Sequence, residues 1–385
     1  MKNAAQIAFI MAILTLTSKF FGFFREMVMA NYYGTSYITD AYVMAQSIPG
    51  ILFAGVFSAV AVTYMPLFSK INELEGEKQG NQFTSEVINI LLFISIIVGL
   101  IGIGFSEQLV RLIAQGFSGE TASLTVFYLK ITFSYVALVS IAGILESFIK
   151  YKGVFIPQVA FGLLQNVILI AVIVISAHTS YYYLIFGYLI VYVLRLLLMI
   201  FIAKRKDYHY TKSLKIRAAT KKIAVLSLPV FIGNGITQIN TFVDKSLASG
   251  LSVGSIAALN YGYLIVNMIM NLTATIMITI VYPKLTKAAS LNNTGRLSYM
   301  VETGITLIMI GLTPCALGAM LYNTEIVRLV YERGAFDAGA TVLTSSALFY
   351  YAIGLIFISM NIFLTQTFYA DHNMLPPMLC SAGSL

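Results

Sequence analysis

Apolar stretches of roughly 20 residues, the length that crosses a hydrocarbon core about 30 Å thick, recur along nearly the whole chain between short polar intervals. Ten can be drawn, at about 5–30, 38–67, 85–106, 122–149, 155–177, 181–203, 221–249, 255–283, 298–321 and 340–369. They are rich in Leu, Ile, Phe and Tyr and lack the period-two alternation of barrel strands, so each reads as a helix. The pattern predicts an all-α polytopic membrane bundle. The apolar run Ile7 to Leu16 continues through Phe20, Phe21, Phe23 and Phe24 with no small-residue cleavage pattern, so it reads as the first span and not as a signal peptide.

Composition agrees with that pattern. Of the 385 residues, 58% are hydrophobic and 10% charged, against about 25% charged in a soluble domain. Cys315 and Cys380 stand alone, without the spacing of a disulfide framework or a zinc site. The net charge of +8 would suit nucleic acid, but its distribution excludes that reading. Sixteen of the 24 Lys and Arg fall on one set of alternate loops: Lys2; Lys70 and Lys78; Lys150 and Lys152; eight from Lys204 to Lys222; and Lys284, Lys287 and Arg296. The other set holds Arg111, Arg328 and Arg333. By the positive-inside rule the N-terminus and the basic stretch 205–220 are cytoplasmic, with the basic loops against anionic headgroups.

The chain also repeats itself at a spacing near 217 residues. Met65-Pro66-Leu67-Phe68-Ser69-Lys70 answers Tyr282-Pro283-Lys284-Leu285-Thr286-Lys287, Leu109 to Ile113 answers Ile326 to Val330, and Phe133-Ser134-Tyr135 answers Phe349-Tyr350-Tyr351. Six helices separate equivalent positions, an even number, so both repeats enter the membrane in the same direction, as in parallel-repeat transporters. The expected organisation is a lobe over 1–204, a cytoplasmic linker over 205–220 and a second lobe over 221–385, with a cavity between lobes that rock. The second lobe is expected to lack its last helices, because the repeat would end near residue 420.

Charges inside apolar stretches mark candidate sites, since one at mid-bilayer costs about 2.5–3.5 kcal/mol unless it snorkels, pairs or faces water. Five basic residues qualify: Lys19, Arg25, Lys130, Arg195 and Lys245. Ser18, Gly22 and Glu26 share a face of the first helix, and Gly22 permits close packing or a bend near Lys19 and Arg25. The second helix opens with Asp40 and carries Pro49-Gly50, a pair expected to kink it. Lys130 and Arg195 read as snorkelling residues. Asp244 beside Lys245 suits a structural pair as well as a site. His178, His209 and His372 share no ligand spacing, and the sequence carries no phosphate loop, nucleophile elbow or paired carboxylates, so neither catalysis nor an ATPase is expected.

Ser18-Lys19-Phe20-Phe21-Gly22-Phe23-Phe24-Arg25-Glu26, followed by Gly34, Thr39-Asp40-Ala41, Pro49 and Pro66, resembles the N-terminal signature of the MurJ (MviN) lipid II flippases, within the multidrug/oligosaccharidyl-lipid/polysaccharide exporter superfamily. Val243 to Ser249 with Gly254-Ser255-Ile256 and Asn260-Tyr261, then Glu332 to Asp337 and Phe368-Tyr369-Ala370, resemble later motifs of that family. The resemblance implies two six-helix lobes and two extra C-terminal helices, in a bacterial cytoplasmic membrane protein that moves the undecaprenyl-diphosphate-linked peptidoglycan precursor to the outer leaflet. It also implies that cations of helices one, two and eight engage the diphosphate. Arg25 matches one of these, and Lys19 stands where the family usually has Arg, keeping the charge and losing the bidentate fork. The helix-two arginine falls here near Phe53 or Ala54 and the helix-eight arginine near Tyr263, so both are absent and Lys245 is the candidate replacement for one of them.

The expectation is therefore a flippase whose cargo headgroup meets Lys19, Arg25 and Lys245, with Glu26, Asp40, Gly22, Pro49, Asp244 and Tyr263 forming gates and cavity walls. No cofactor is implied, and coupling to the membrane potential or an ion gradient is expected. Three rivals stand beside it, of which the first is a flippase for another polyprenyl-linked polysaccharide and the second a cation-coupled drug antiporter, whose cavity should be more acidic and aromatic. A membrane protein without transport is the third. Oligomeric state is open.

Overall fold

The computed structural model describes residues 2–212, 242–270 and 294–370 with isolated positions 220, 222, 223, 227, 376 and 380, and the side chains at 51–59 lie outside that description. Helices dominate: α1 (Lys2–Tyr33), α2 (Tyr37–Glu75), α3 (Glu77–Gly104), α4 (Ser106–Ile113), α5 (Gly119–Ser134), α6 (Val136–Tyr151), α7 (Ile156–His178) and, after a 3₁₀ turn at Tyr181–Tyr183, α8 (Phe186–Arg205). Residues 242–249 are helical, and α9 (Ser255–Met270), α10 (Thr294–Leu321), α11 (Asn323–Tyr331) and α12 (Ala338–Ala370) follow. Among the described residues no strand occurs, and six segments are long and apolar enough to cross a membrane. The expected spans at 221–249 and 255–283 are described continuously only over 242–249 and 255–270, and the Tyr282 to Lys287 repeat lies outside.

Two departures from the apolar pattern have local causes. The stretch at 122–149 divides at Tyr135, whose backbone leaves the helical region (φ −101°, ψ 4°). One residue earlier the Ser134 hydroxyl donates to the Ile131 carbonyl at 2.6 Å, competing with the helical ladder. The helices α4 and α11 are too short and polar for a spanning-segment search, and each buries a narrow apolar stripe, Val110 and Ile113 in one and Val327 and Tyr331 in the other. Pro49, expected to kink α2, is buried within a helix that runs on through Pro66.

The repeat is carried by the helices themselves. Helix α10 ends 217 residues after α3 (321 against 104), and α11 starts 217 after α4 (323 against 106). The chain forms two compact units, one of Met1–Tyr32 with Tyr37–Ser252 and the other of Tyr33–Ser36 with Val253–Leu385.

Within lipid the hydrophobic effect does not drive helices together, so close packing and buried hydrogen bonds must. In the first unit Tyr64 stacks on Phe83 with centroids 5.8 Å apart and shares a hydrogen bond of 2.7 Å with Thr84. Phe68, Phe148 and Met199 complete that buried cluster. Ser95 and Ser140 bond across α3 and α6 at 2.9 Å, and a Cβ at Gly102 would lie 2.4 Å from the Phe133 ring. The polar end of this unit is tied back as well: Asn81 donates to the Asp207 carbonyl at 2.7 Å, and Lys152 meets Glu77 at 2.6 Å. The hydrogen bond and charge of Lys152 hold the Glu77 carboxyl below its ordinary range. The sign follows from linkage: this stabilisation is present above the ordinary carboxylate pKa and lost as pH falls through the lowered folded value. A small acid-side fall in thermal midpoint is therefore expected, and Lys152→Met should remove that acid-side component while leaving the neutral-pH midpoint nearly unchanged.

The second unit is built around a tight turn. Gly34 adopts φ +54°, and a Cβ there would lie 2.3 Å from the Ala335 carbonyl oxygen; Gly254, at φ +90°, would meet the Thr35 carbonyl oxygen at 2.3 Å. Tyr261 donates to the Gly34 carbonyl and Tyr331 to the Tyr261 carbonyl, both at 3.4 Å. The Tyr261, Tyr331 and Phe336 rings close over them with centroids 5.0–5.7 Å apart. Gly34→Ala combines a left-handed backbone with a backbone clash, and is expected to cost about 1–3 kcal/mol. The measurement is the thermal midpoint of the purified protein.

Candidate functional site

The intramembrane charge of α1 is positioned by α7. Ser18, Gly22 and Glu26 lie along one face of α1, and Gly22 brings its backbone near the Asn166 amide, 3.6 Å from where a Cβ would stand. The reciprocal approach occurs at Gly162, where a Cβ would lie 2.9 Å from the Ser18 hydroxyl. In the gap so formed, Asn166 Nδ2 donates to the Ser18 carbonyl of α1 and to the Gly162 carbonyl of its own helix, both at 3.0 Å. Its Oδ1 accepts from Arg25 Nη1 at 3.3 Å. The other edge of the guanidinium serves Glu26: Nε donates to Oε1 at 3.0 Å, and Nη2 contacts the same oxygen.

Tyr42 and Tyr188 lie near Arg25. Their rings are 6.1 Å apart and extend into a column through Tyr128, 6.3 Å from Tyr42, and Tyr192, 6.2 Å from Tyr188, then Tyr135 at 4.9 Å from Tyr192. Arg25 and Glu26 are each less than one-fifth exposed. The arrangement offers a cation whose planar fork can exchange an internal carboxylate for phosphate oxygens, since each presents a pair of oxygens that a guanidinium can bind bidentately.

A second group gathers elsewhere in the first unit. Asp40 is buried on α2, Lys245 is half-buried, and Asp40 and Asp244 are the charges acting on Lys245. Both carboxylates favour its charged form against the larger cost of burial. Lys19 is exposed on α1. Tyr263 belongs to the second unit, where it is 39% exposed and meets Tyr351 edge-on at 5.5 Å. The side chains of Phe53 and Ala54 lie outside the described residues.

Arg195 corrects the sequence reading. It is the tenth of twenty residues in α8, and it pairs with Glu146 of α6 at 2.6 Å. A carboxylate from a neighbouring helix offsets its charge where snorkelling was expected. Asn166 and the tyrosine column were missed as well. The signal for Asn166 was present in Gly162 and Asn166, a small and a polar residue four apart on one face of an apolar helix. Asn166→Ala is expected to leave the Arg25 donor and the Ser18 carbonyl poorly satisfied, lowering stability by about 1–3 kcal/mol. Thermal midpoints check this, with Asn166→Gln intermediate.

The family model described as lipid II flippase MurJ matches residues 29–384. The chain belongs to the MurJ family. Its relatives include a probable lipid II flippase MurJ of Rhizobium tropici, 28% identical over 386 residues, covering 96% of this chain and 71% of the relative. A lipid II flippase MurJ of Burkholderia cenocepacia is 24% identical over 385 residues, covering 96% and 74%. A solved lipid II flippase MurJ in an inward closed conformation superposes with a TM-score of 0.86 at 25% identity, over 97% of this chain and 78% of that one. An inward-facing MATE family multidrug transporter shares the fold at TM-score 0.78 and 12% identity, over 97% and 87%. The MurJ family is one of transporters, and this member is a multi-pass protein of the bacterial inner membrane.

Proposed function

We propose that this MurJ family member translocates lipid II, the undecaprenyl-diphosphate-linked peptidoglycan precursor, from the cytoplasmic to the outer leaflet for cell-wall synthesis. The observation that carries the reading is the family match across nearly the whole chain, residues 29–384. Arg25 engages the diphosphate, exchanging Glu26 for phosphate oxygens while Asn166 holds its other edge, and Lys19 and Lys245 supply further positive charge. Asp40, Asp244 and Glu26 act as internal counter-charges that hold these cations when cargo is absent. The polyprenyl tail stays in lipid. The N-terminus is cytoplasmic, as the basic loops require. Transport draws on the membrane potential or an ion gradient and involves no catalysis.

The test is replacement of the native flippase in a bacterium by the full-length protein, followed by depletion and an assay of which leaflet holds the precursor. Lipid II accumulating on the cytoplasmic side is the expected result. Intact peptidoglycan with loss of a surface polysaccharide would replace this reading by the other polyprenyl-linked cargo.

A further inference from the structure

Away from the Arg25 site, the first unit carries a groove of about 440 Å³ between α4 and α5. Glu107, Val110 and Arg111 of α4 form one wall; Ser123, Phe127 and Lys130 of α5 lie along the other. The positive-inside pattern puts this end of α3 and the whole of α4 at the outer leaflet. Lys130 lies roughly 16 Å along the α5 axis from Gly119, at 1.5 Å per residue, within an apolar span, yet its side chain is exposed. Arg111 is exposed too, and neither cation forms an ion pair among the described residues.

The internal repeat shows what makes this groove unusual. The counterpart of Arg111 is Arg328, whose side chain is met by Glu332 one turn later at 3.2 Å. In the first unit the residue one turn after Arg111 is Gln115, which donates to the Leu112 carbonyl instead. The counterpart of Lys130 is Ser346 or Ala347, at the offsets of the flanking matches, and neither carries charge. The second unit thus pairs Arg328 and carries no lysine at the position equivalent to Lys130, whereas the first directs two unpaired cations into one groove. A charge in an apolar span is disfavoured unless it reaches water or an anion.

We propose that this groove binds the phosphodiester headgroup of an anionic membrane phospholipid, held between Arg111 and Lys130, with an acyl chain against Val126 and Phe127. Glu107 on the same wall leaves the groove one net positive charge, which a phosphodiester of single negative charge balances. The apolar wall selects a lipid over a soluble anion, and the volume falls within the range of small-ligand sites. The bound lipid braces the amphipathic α4 against α5 and removes the unpaired charge of Lys130 from the apolar span.

The chain contains no tryptophan, so a single substitution gives a clean reporter. Phe127→Trp puts a fluorophore on the groove wall, and Val126→Trp gives an independent reading there if the first variant folds poorly. The full chain is reconstituted in phosphatidylcholine vesicles containing phosphatidylglycerol, with brominated acyl chains on one lipid or the other. Brominated phosphatidylglycerol is expected to quench several-fold more effectively at equal mole fraction, and Arg111→Gln with Lys130→Gln should abolish the preference. Leu329→Trp, on an exposed position of the second unit, should report no preference. Equal quenching by the two lipids, a preference that survives the double variant, or the same preference at Leu329→Trp would each overturn the proposal. Because the assay reads binding without transport, its failure leaves the flippase reading untouched.

Discussion

Replacing Arg25 by alanine is expected to lower lipid II flipping by tenfold to a hundredfold and to destabilise the protein as well, and the two effects can be separated. A hydrogen bond to a charged group contributes about 1.5–3 kcal/mol, and each 1.4 kcal/mol is a factor of ten. The single substitution also strands Glu26, which is only 14% exposed beside α7. Removing one partner of a buried pair costs about 3–5 kcal/mol. Pairing Arg25→Ala with Glu26→Gln removes the lone carboxylate, so folded yield should recover toward the native level while flipping stays depressed. Arg25→Lys keeps the charge but cannot serve Glu26 and Asn166 from two edges of one plane, and should fall between the two. The measurements are thermal midpoint and leaflet-resolved lipid II in a strain depleted of its own flippase. Normal flipping by the Arg25→Ala/Glu26→Gln variant would remove Arg25 from the cargo site.

How far the sequence reached depended on whether a feature is local. Helix spans are local, because twenty apolar residues in lipid can satisfy their backbone only within themselves, and α3, α7, α10 and α12 fall close to the stretches drawn from hydropathy. The repeat was legible because packing preserved register: Leu109 to Ile113 and Ile326 to Val330 lie in equivalent short helices, though neither is apolar enough to be seen by itself. Pairing across helices was not legible. Nothing near Arg195 in the chain announces Glu146, forty-nine residues earlier, and nothing near Arg25 announces Asn166. The pair Arg25–Glu26 was readable because its members are adjacent. Gly34 approaches the Ala335 carbonyl and Gly254 the Thr35 carbonyl, each across more than two hundred positions of the chain, and a Cβ at either glycine would block the approach.

The pair Arg195–Glu146 should behave in the opposite way from Arg25. Glu146 is 11% exposed and Arg195 31%, at the middle of α8, so each is held in the apolar interior chiefly by the other. Arg195→Leu alone strands the carboxylate and is expected to cost about 3–5 kcal/mol, enough to remove most folded protein at growth temperature. Glu146→Leu with Arg195→Leu removes both desolvated charges together. That exchange is commonly neutral, or stabilising by about 1–4 kcal/mol. The main-chain carbonyl of Glu146, which accepts from Gln158 at 3.3 Å, is untouched by either change. The double variant should therefore recover its thermal midpoint and also flip lipid II at close to the native rate, because no cargo contact was lost. Recovery of stability without recovery of flipping would move Arg195 from scaffold to cargo path, alongside Arg25. Failure of the double variant to recover stability would mean that the helices α6 and α8 depend on the ion pair for their register.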